Sequence, residues 1–270
     1  MKNLLITVLF LSLSSFNLVF GQGWIQDFQR EEFDIFSDII ETEDQGYLAI
    51  GSSRNSMGIF EIMLIKIDVD GNELWAEYIG EPNTHLTGHN LLNTEDGGII
   101  ILGSFEVIGT EEVDVLLLKT DAQGLIEWTK TFDYGERDAP FGIVHGMDGG
   151  FLFANQSNNA DDIFVKVNNS GEEEWSYQIT DPSGSIFYPP TITVLADGYL
   201  FSGETEFLKV DQAGNEIWTE DHTTMNIGNT ILEGVNASRN GLQTSYHHEY
   251  WQYDPSFRWK FLTNCRFRWI

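Results

Sequence analysis

One octapeptide pattern returns four times in the chain: DVDGNELW at 68–75, DAQGLIEW at 121–128, NNSGEEEW at 168–175 and DQAGNEIW at 211–218. The copies start 43 to 53 residues apart. A sequence that repeats one word at that period builds one supersecondary unit several times, each unit burying its apolar face against the next. Any fold proposed for the chain has to accommodate this period.

The second copy shows what a unit contains. HNLLNTEDGG ends in a turn at Asp96, Gly97 and Gly98; IIILGS from Ile99 and DVLLLKTD at 114–121 read as apolar strands; AQG makes the next turn, and LIEWTKTF is a fourth strand. Four strands separated by hairpin-type turns match a propeller blade. Runs such as IIIL and LLL are apolar on both strand faces, which suits sheets packed face to face. The landmarks keep step: lysines at Lys66, Lys119, Lys166 and Lys209, turn glycines at Gly71, Gly124, Gly171 and Gly214, and tryptophans at Trp75, Trp128, Trp175 and Trp218.

The ends set the count. Trp24, in GWIQDF, lies 51 residues before Trp75 and reads as the fourth strand of a blade whose other strands are missing. GNTILEGVNASRNGLQTSYHHEYWQYD, reaching Asp254, supplies three strands without a matching Trp strand. Joined, the fragments make an all-β, five-bladed propeller of four-stranded antiparallel blades over 22–256, closed by the N-terminal strand so that no sheet edge stays open.

Before that unit, MKNLLITVLFLSLSSFNLVFGQG has the layout of a signal peptide, 1–21, cut between Gly21 and Gln22. The expected product is secreted or periplasmic, monomeric and without a transmembrane segment after cleavage. Cys265 is the only cysteine, so no intramolecular disulfide forms. Lys and Arg total 14 against 42 Asp and Glu, a formal charge of -28, which repels phosphate backbones and argues against nucleic acid. The stretch 257–270, FRWKFLTNCRFRWI, departs from all this: it is basic, has no acid and has Phe257 where the pattern needs a turn Gly. A reading-frame shift after Ser256 explains these departures together and predicts an unordered tail. A basic strand docked on the acidic ring is the alternative.

The pattern TEDGGIIILGS…DVLLLKTDAQGLIEWTKTF resembles the tandem propeller repeats of secreted Bacteroidetes proteins, and its Asp, Gly and Trp spacing is similar to that of quinoprotein-like propellers. The resemblance spans nearly all of 24–254 and implies the fold more than an activity. A quinone cofactor does not fit, since the vicinal cysteine pair of many such enzymes is impossible here, and no cofactor or metal is expected.

The repeated residues read as structure. An EF-hand loop opening at Asp68 needs a bidentate Glu at its twelfth position, which is Ile79, and the second acid, Asp70, becomes Gln123, Ser170 and Ala213 in the other copies. Asp68 therefore opens a hairpin turn in which glycine supplies a positive φ. The tryptophans read as wedges between blades, with a sugar-stacking platform as the alternative for any that is exposed, and the lysines as partners of a turn carboxylate. Chemistry would instead come from residues that break the symmetry on the first strands lining the channel, including His85, His89 and His145. Asp38, Asp138 and Glu233 are the carboxylates for an alternative reading, a glycoside-hydrolase-like enzyme. His85 and His89 fall on one face of a regular strand, but no third metal ligand is apparent. The favoured expectation is a non-catalytic binding or surface-associated module for a protein or glycan. A degraded remnant of a longer protein is a third possibility.

Overall fold

A computed structural model describes residues 34–157, 161–179, 190–202, 206–221, 231–238, 241–249 and 263–267. Every regular element among them is a β-strand. The first sheet is β1 (Asp34–Glu41), β2 (Tyr47–Arg54), β3 (Phe60–Ile67) and β4 (Glu73–Ile79). The second is β5 (Thr84–Asn93), β6 (Ile99–Val107), β7 (Val113–Thr120) and β8 (Ile126–Phe132). The third is β9 (Asp138–His145), β10 (Phe151–Ser157), β11 (Asp162–Val167) and β12 (Glu173–Ile179). The fourth is β13 (Thr191–Leu195), β14 (Gly198–Ser202), β15 (Glu206–Val210) and β16 (Glu216–Asp221). Each is an antiparallel meander in chain order. A three-stranded sheet follows, β17 (Ile231–Ser238), β18 (Gly241–Glu249) and β19 (Thr263–Phe267).

The first strands pack on one another in sequence, β1 on β5, β5 on β9, β9 on β13 and β13 on β17, so the sheets stand around a shared inner face in a propeller-like arrangement. Alternate residues of a middle strand serve two junctions. Leu116 and Leu118 of β7 join Ile50, Ile62 and Leu64 of the first sheet, whereas Val115 and Leu117 join Phe151, Phe153 and Val165 of the third. This explains the unbroken apolar runs, because both faces of β7 are covered and period-2 alternation would waste one of them. The outer strand β8, by contrast, alternates between exposed and half-buried residues.

In the last sheet the strand beside β18 is β19, with His247 opposite Cys265 and Glu249 opposite Thr263. The sequence places that strand at residues up to Asp254 instead; 250–256 lie outside the described residues, as do 1–33 with Trp24. The basic stretch 257–270 thus contributes the strand Thr263–Phe267.

Candidate functional site

The repeated residues form one constellation in each four-stranded sheet. The third and fourth strands pair with lysine directly opposite tryptophan: Lys66 with Trp75, Lys119 with Trp128, Lys166 with Trp175 and Lys209 with Trp218, each pair followed by a bulge. The lysine then reaches the carboxylate of the turn between the first two strands. Lys66 meets Asp44 at 2.7 Å, Lys119 meets Asp96 at 2.7 Å, Lys166 meets Asp148 at 3.1 Å and Lys209 meets Asp197 at 2.7 Å. In the two middle sheets a second carboxylate, Glu127 or Glu174, joins the ion pair. The Lys66 ammonium, the Thr42 hydroxyl and the Gly46 amide hold the Asp44 carboxyl well below the usual range, and Lys119, Thr94 and Gly98 do the same for Asp96. Burial alone would push the Lys166 ammonium down, but Glu174 and Asp148 keep it above its ordinary value.

Asp68 is consumed by its own turn. Its Oδ1 accepts the amides of Asp70 and Asn72, at 2.9 and 2.8 Å, and Asp121, Asn168 and Asp211 repeat the pattern. The glycine in each turn has φ of +87°, +82°, +75° and +80° at Gly71, Gly124, Gly171 and Gly214. At two of these turns the preceding sheet's tryptophan also closes the space. A Cβ on Gly171 would lie 2.8 Å from the Trp128 ring and one on Gly214 2.6 Å from that of Trp175, whereas one on Gly124 would meet nothing within 4 Å. Trp128 and Trp175 are half-buried, and Trp75 is 40% exposed.

Asp38 and Asp138 are held in separate networks. Asp38 sits at a bulge in β1, where its Oδ1 accepts Ile39 N (2.8 Å) and its Oδ2 accepts Leu91 N (2.9 Å), pinning the first sheet to the second. Asp138 opens β9 and is 3% exposed; its Oδ1 accepts Asn155 Nδ2 and its Oδ2 accepts Tyr134 N, both at 2.8 Å. Its acidic neighbours are Asp114 and Asp133, not Asp38. Burial raises the Asp138 carboxyl, the two hydrogen bonds oppose that rise, and Asp133 and Asp114 add to it. Glu233 falls in the bulge of β17 between Leu232 and Val235.

The histidines part for a similar reason. A bulge between Gly88 and Asn90 interrupts β5, so the regular-strand spacing of His85 and His89 fails. His85 Nδ1 accepts Phe60 N at 3.0 Å, while His89 Nε2 lies 3.1 Å from both Thr87 Oγ1 and Ser104 Oγ. Burial pushes His89 down, favouring the neutral ring.

A cleft of about 860 Å³ opens between the second and third sheets, at the end of β9 opposite Asp138. Trp128, His145, Phe151, Asn169 and the Lys119–Asp96 pair are among its walls. Phe151 and Asn169 carry no motif in the sequence. The usable signal is positional: Phe151 follows the turn glycine where Tyr47 and Tyr199 stand in the first and fourth sheets and Ile99 stands in the second. Tyr199 is fully buried, and its hydroxyl accepts Met147 N at 2.9 Å, closing the next junction. Phe151 has no hydroxyl with which to close its own.

No protein-family model matches the chain, and no curated protein matches it. Among solved structures it is similar to a protein of unknown function from Bacteroides caccae, with 15% identity, a TM-score of 0.45 and coverage of 76% of this chain and 65% of the other. It is also similar to the periplasmic gluconolactonase of Pseudomonas aeruginosa, with 12% identity, TM-score 0.48 and coverage of 84% and 71%. The third is the GH43 endo-arabinanase of Bacillus licheniformis, with 14% identity, TM-score 0.45 and coverage of 87% and 95%. The chain thus spans less than two thirds of the Bacteroides protein's length, and none of the three likenesses is close enough to carry an activity across.

Proposed function

We propose that this chain is an exported, monomeric, five-bladed propeller that binds a glycan without turning it over. Export follows from the 1–21 segment. The fifth blade combines β17–β19 with the N-terminal strand around Trp24, which then pairs beside Thr263–Phe267. The binding site is the cleft between the second and third sheets. The observation that supports this reading is the separation of the open space from the buried acid Asp138. Of the carboxylates at the cleft, Asp96 and Glu127 are tied to Lys119 and Glu95 is exposed, while the buried acid Asp138 lies at the other end of β9. A half-buried indole beside amide and imidazole groups suits the apolar face and hydroxyls of a sugar. The charge of -28 disfavours sulfated or phosphorylated ligands.

The rival is a carbohydrate-active enzyme, favoured by the raised carboxyl of Asp138, since a general acid must hold its proton near the working pH. A glycan array followed by a reducing-sugar assay on each bound polysaccharide separates the two. Binding without sugar release supports the module. Release that disappears in Asp138→Asn supports the enzyme and overturns the proposal.

A further inference from the structure

Three carboxylates from three separate elements meet where the second sheet passes into the third. Asp114 belongs to β7, Asp133 follows β8 and Asp138 opens β9, and one oxygen from each lies within 4.8 Å of the others. Two ligands on opposite sides of a calcium-sized ion, each at about 2.4 Å, are about 4.8 Å apart, so this spacing lets all three reach a single ion. The exposures differ: Asp133 is exposed, Asp114 half-buried and Asp138 buried, which gives the cluster a solvent side and a closed side.

The closed side carries a second feature. Asn155 is fully buried in β10, and its Nδ2 donates to Asp138 Oδ1 at 2.8 Å, so its carboxamide abuts the cluster. The Oδ1 of the same carboxamide is buried and has no hydrogen-bond partner. An amide oxygen left bare in a core costs about 1–3 kcal/mol, and calcium sites use such oxygens beside carboxylates. The local electrostatics agree. Burial, Asp133 and Glu112 all raise the Asp114 carboxyl. Three carboxylates gathered this closely repel one another, and a divalent ion relieves that repulsion.

We infer that Asp114, Asp133, Asp138 and Asn155 form a site for a hard divalent cation of calcium size, which fastens the third sheet to the second at the end of β9 away from the glycan cleft. All four ligand groups offer oxygen and none offers nitrogen or sulfur, which disfavours zinc. The irregular approach from two strands, a loop and a core amide disfavours magnesium, which demands near-octahedral order.

The test uses the full chain, stripped with EDTA and titrated with CaCl2, with NaCl at matched ionic strength as the control. Calorimetry should show saturable binding of one ion, and saturation should raise the melting temperature by about 5 °C. Asp133→Asn should weaken calcium binding at least tenfold. Because Asp133 is exposed and its removal relieves repulsion, that variant should melt no lower than the wild type in EDTA, which separates lost binding from lost folding. Asn155→Asp, which keeps an oxygen at the core position, should retain a calcium-dependent rise. The inference is overturned if calcium gives no more stabilisation than matched NaCl, or if Asp133→Asn binds as the wild type does.

Discussion

The junction between the second and third sheets and the junction between the third and fourth are built from the same parts, yet one is open and the other closed. In both, a half-buried tryptophan lies against the next sheet's turn glycine, and a lysine holds two carboxylates. At the closed junction Trp175 packs near Tyr199 and Phe201, with centroids 6.0 and 6.4 Å apart, Phe164 stacks on Phe201 at 4.2 Å, and the Tyr199 hydroxyl ties the two sheets together. At the open junction Phe151 takes the tyrosine's place, and the cleft lies there. The lesson is that two junctions built on the same motif can differ by one hydroxyl contact, and the cleft lies at the one that lacks it.

The comparison breaks most sharply at the turn glycines. Gly171→Ala has to adopt a left-handed φ and push its Cβ into the Trp128 ring, and should cost about 2–4 kcal/mol by thermal melting. Gly124→Ala adopts the same φ in open space and should cost about 1 kcal/mol. Equal losses would mean that the tryptophan does not press on the turn.

The lysines come next. Lys166 is 1% exposed and holds two carboxylates, so Lys166→Met should lower stability by about 2 kcal/mol in denaturant titration. Among the described residues Lys209 pairs with Asp197 alone, and Lys209→Met should cost under about 1 kcal/mol. Neither lines the cleft, so glycan binding should survive both changes.

Removing the bridging hydroxyl with Tyr199→Phe should cost about 1 kcal/mol, the net worth of one buried hydrogen bond, and leave the third junction resembling the second.

The smallest effect is one of pH. Asp114 and Asp138 have raised carboxyls in the folded chain, so the folded state binds protons more tightly than the unfolded one. In EDTA their contribution to stability is present at low pH and is lost as pH rises from the unfolded carboxylate range, near 4, through the folded values. Asp44 and Asp96 are lowered and act in the opposite sense, adding stability above that range and losing it only in stronger acid. Wild type minus Asp133→Asn, measured by melting between pH 4 and 7, should isolate the part of the first contribution that comes from Asp133, with the wild type's relative stability falling as pH rises.

Much of this architecture is visible in the residues. The period, the double-sided apolar strands and the aligned Asp, Lys, Gly and Trp specify four-stranded antiparallel units, because each landmark serves a contact inside a sheet or with its neighbour. The sequence marks where the lysine stands, but its partner comes from the other hairpin of the same sheet, more than ten residues away, and only the fold brings Asp44 to Lys66 or Asp197 to Lys209. Bulges hide more. One extra residue near Gly88 separates His85 from His89, and nothing local announces it. The cleft left the faintest trace, a phenylalanine where the first and fourth sheets have tyrosine and the second has Ile99. The carboxylate cluster left none, since Asp114, Asp133 and Asp138 belong to different strands and loops.

The most direct measurement restores the missing contact. By analogy with Tyr199 and Met147, a tyrosine at 151 would reach the backbone of Glu95, which also lines the cleft. Phe151→Tyr should therefore fill the cleft, leave the melting temperature equal or slightly higher, and weaken binding of the array-selected glycan at least tenfold by calorimetry. Undiminished glycan binding by a well-folded Phe151→Tyr would contradict the account and remove the open junction as the binding site.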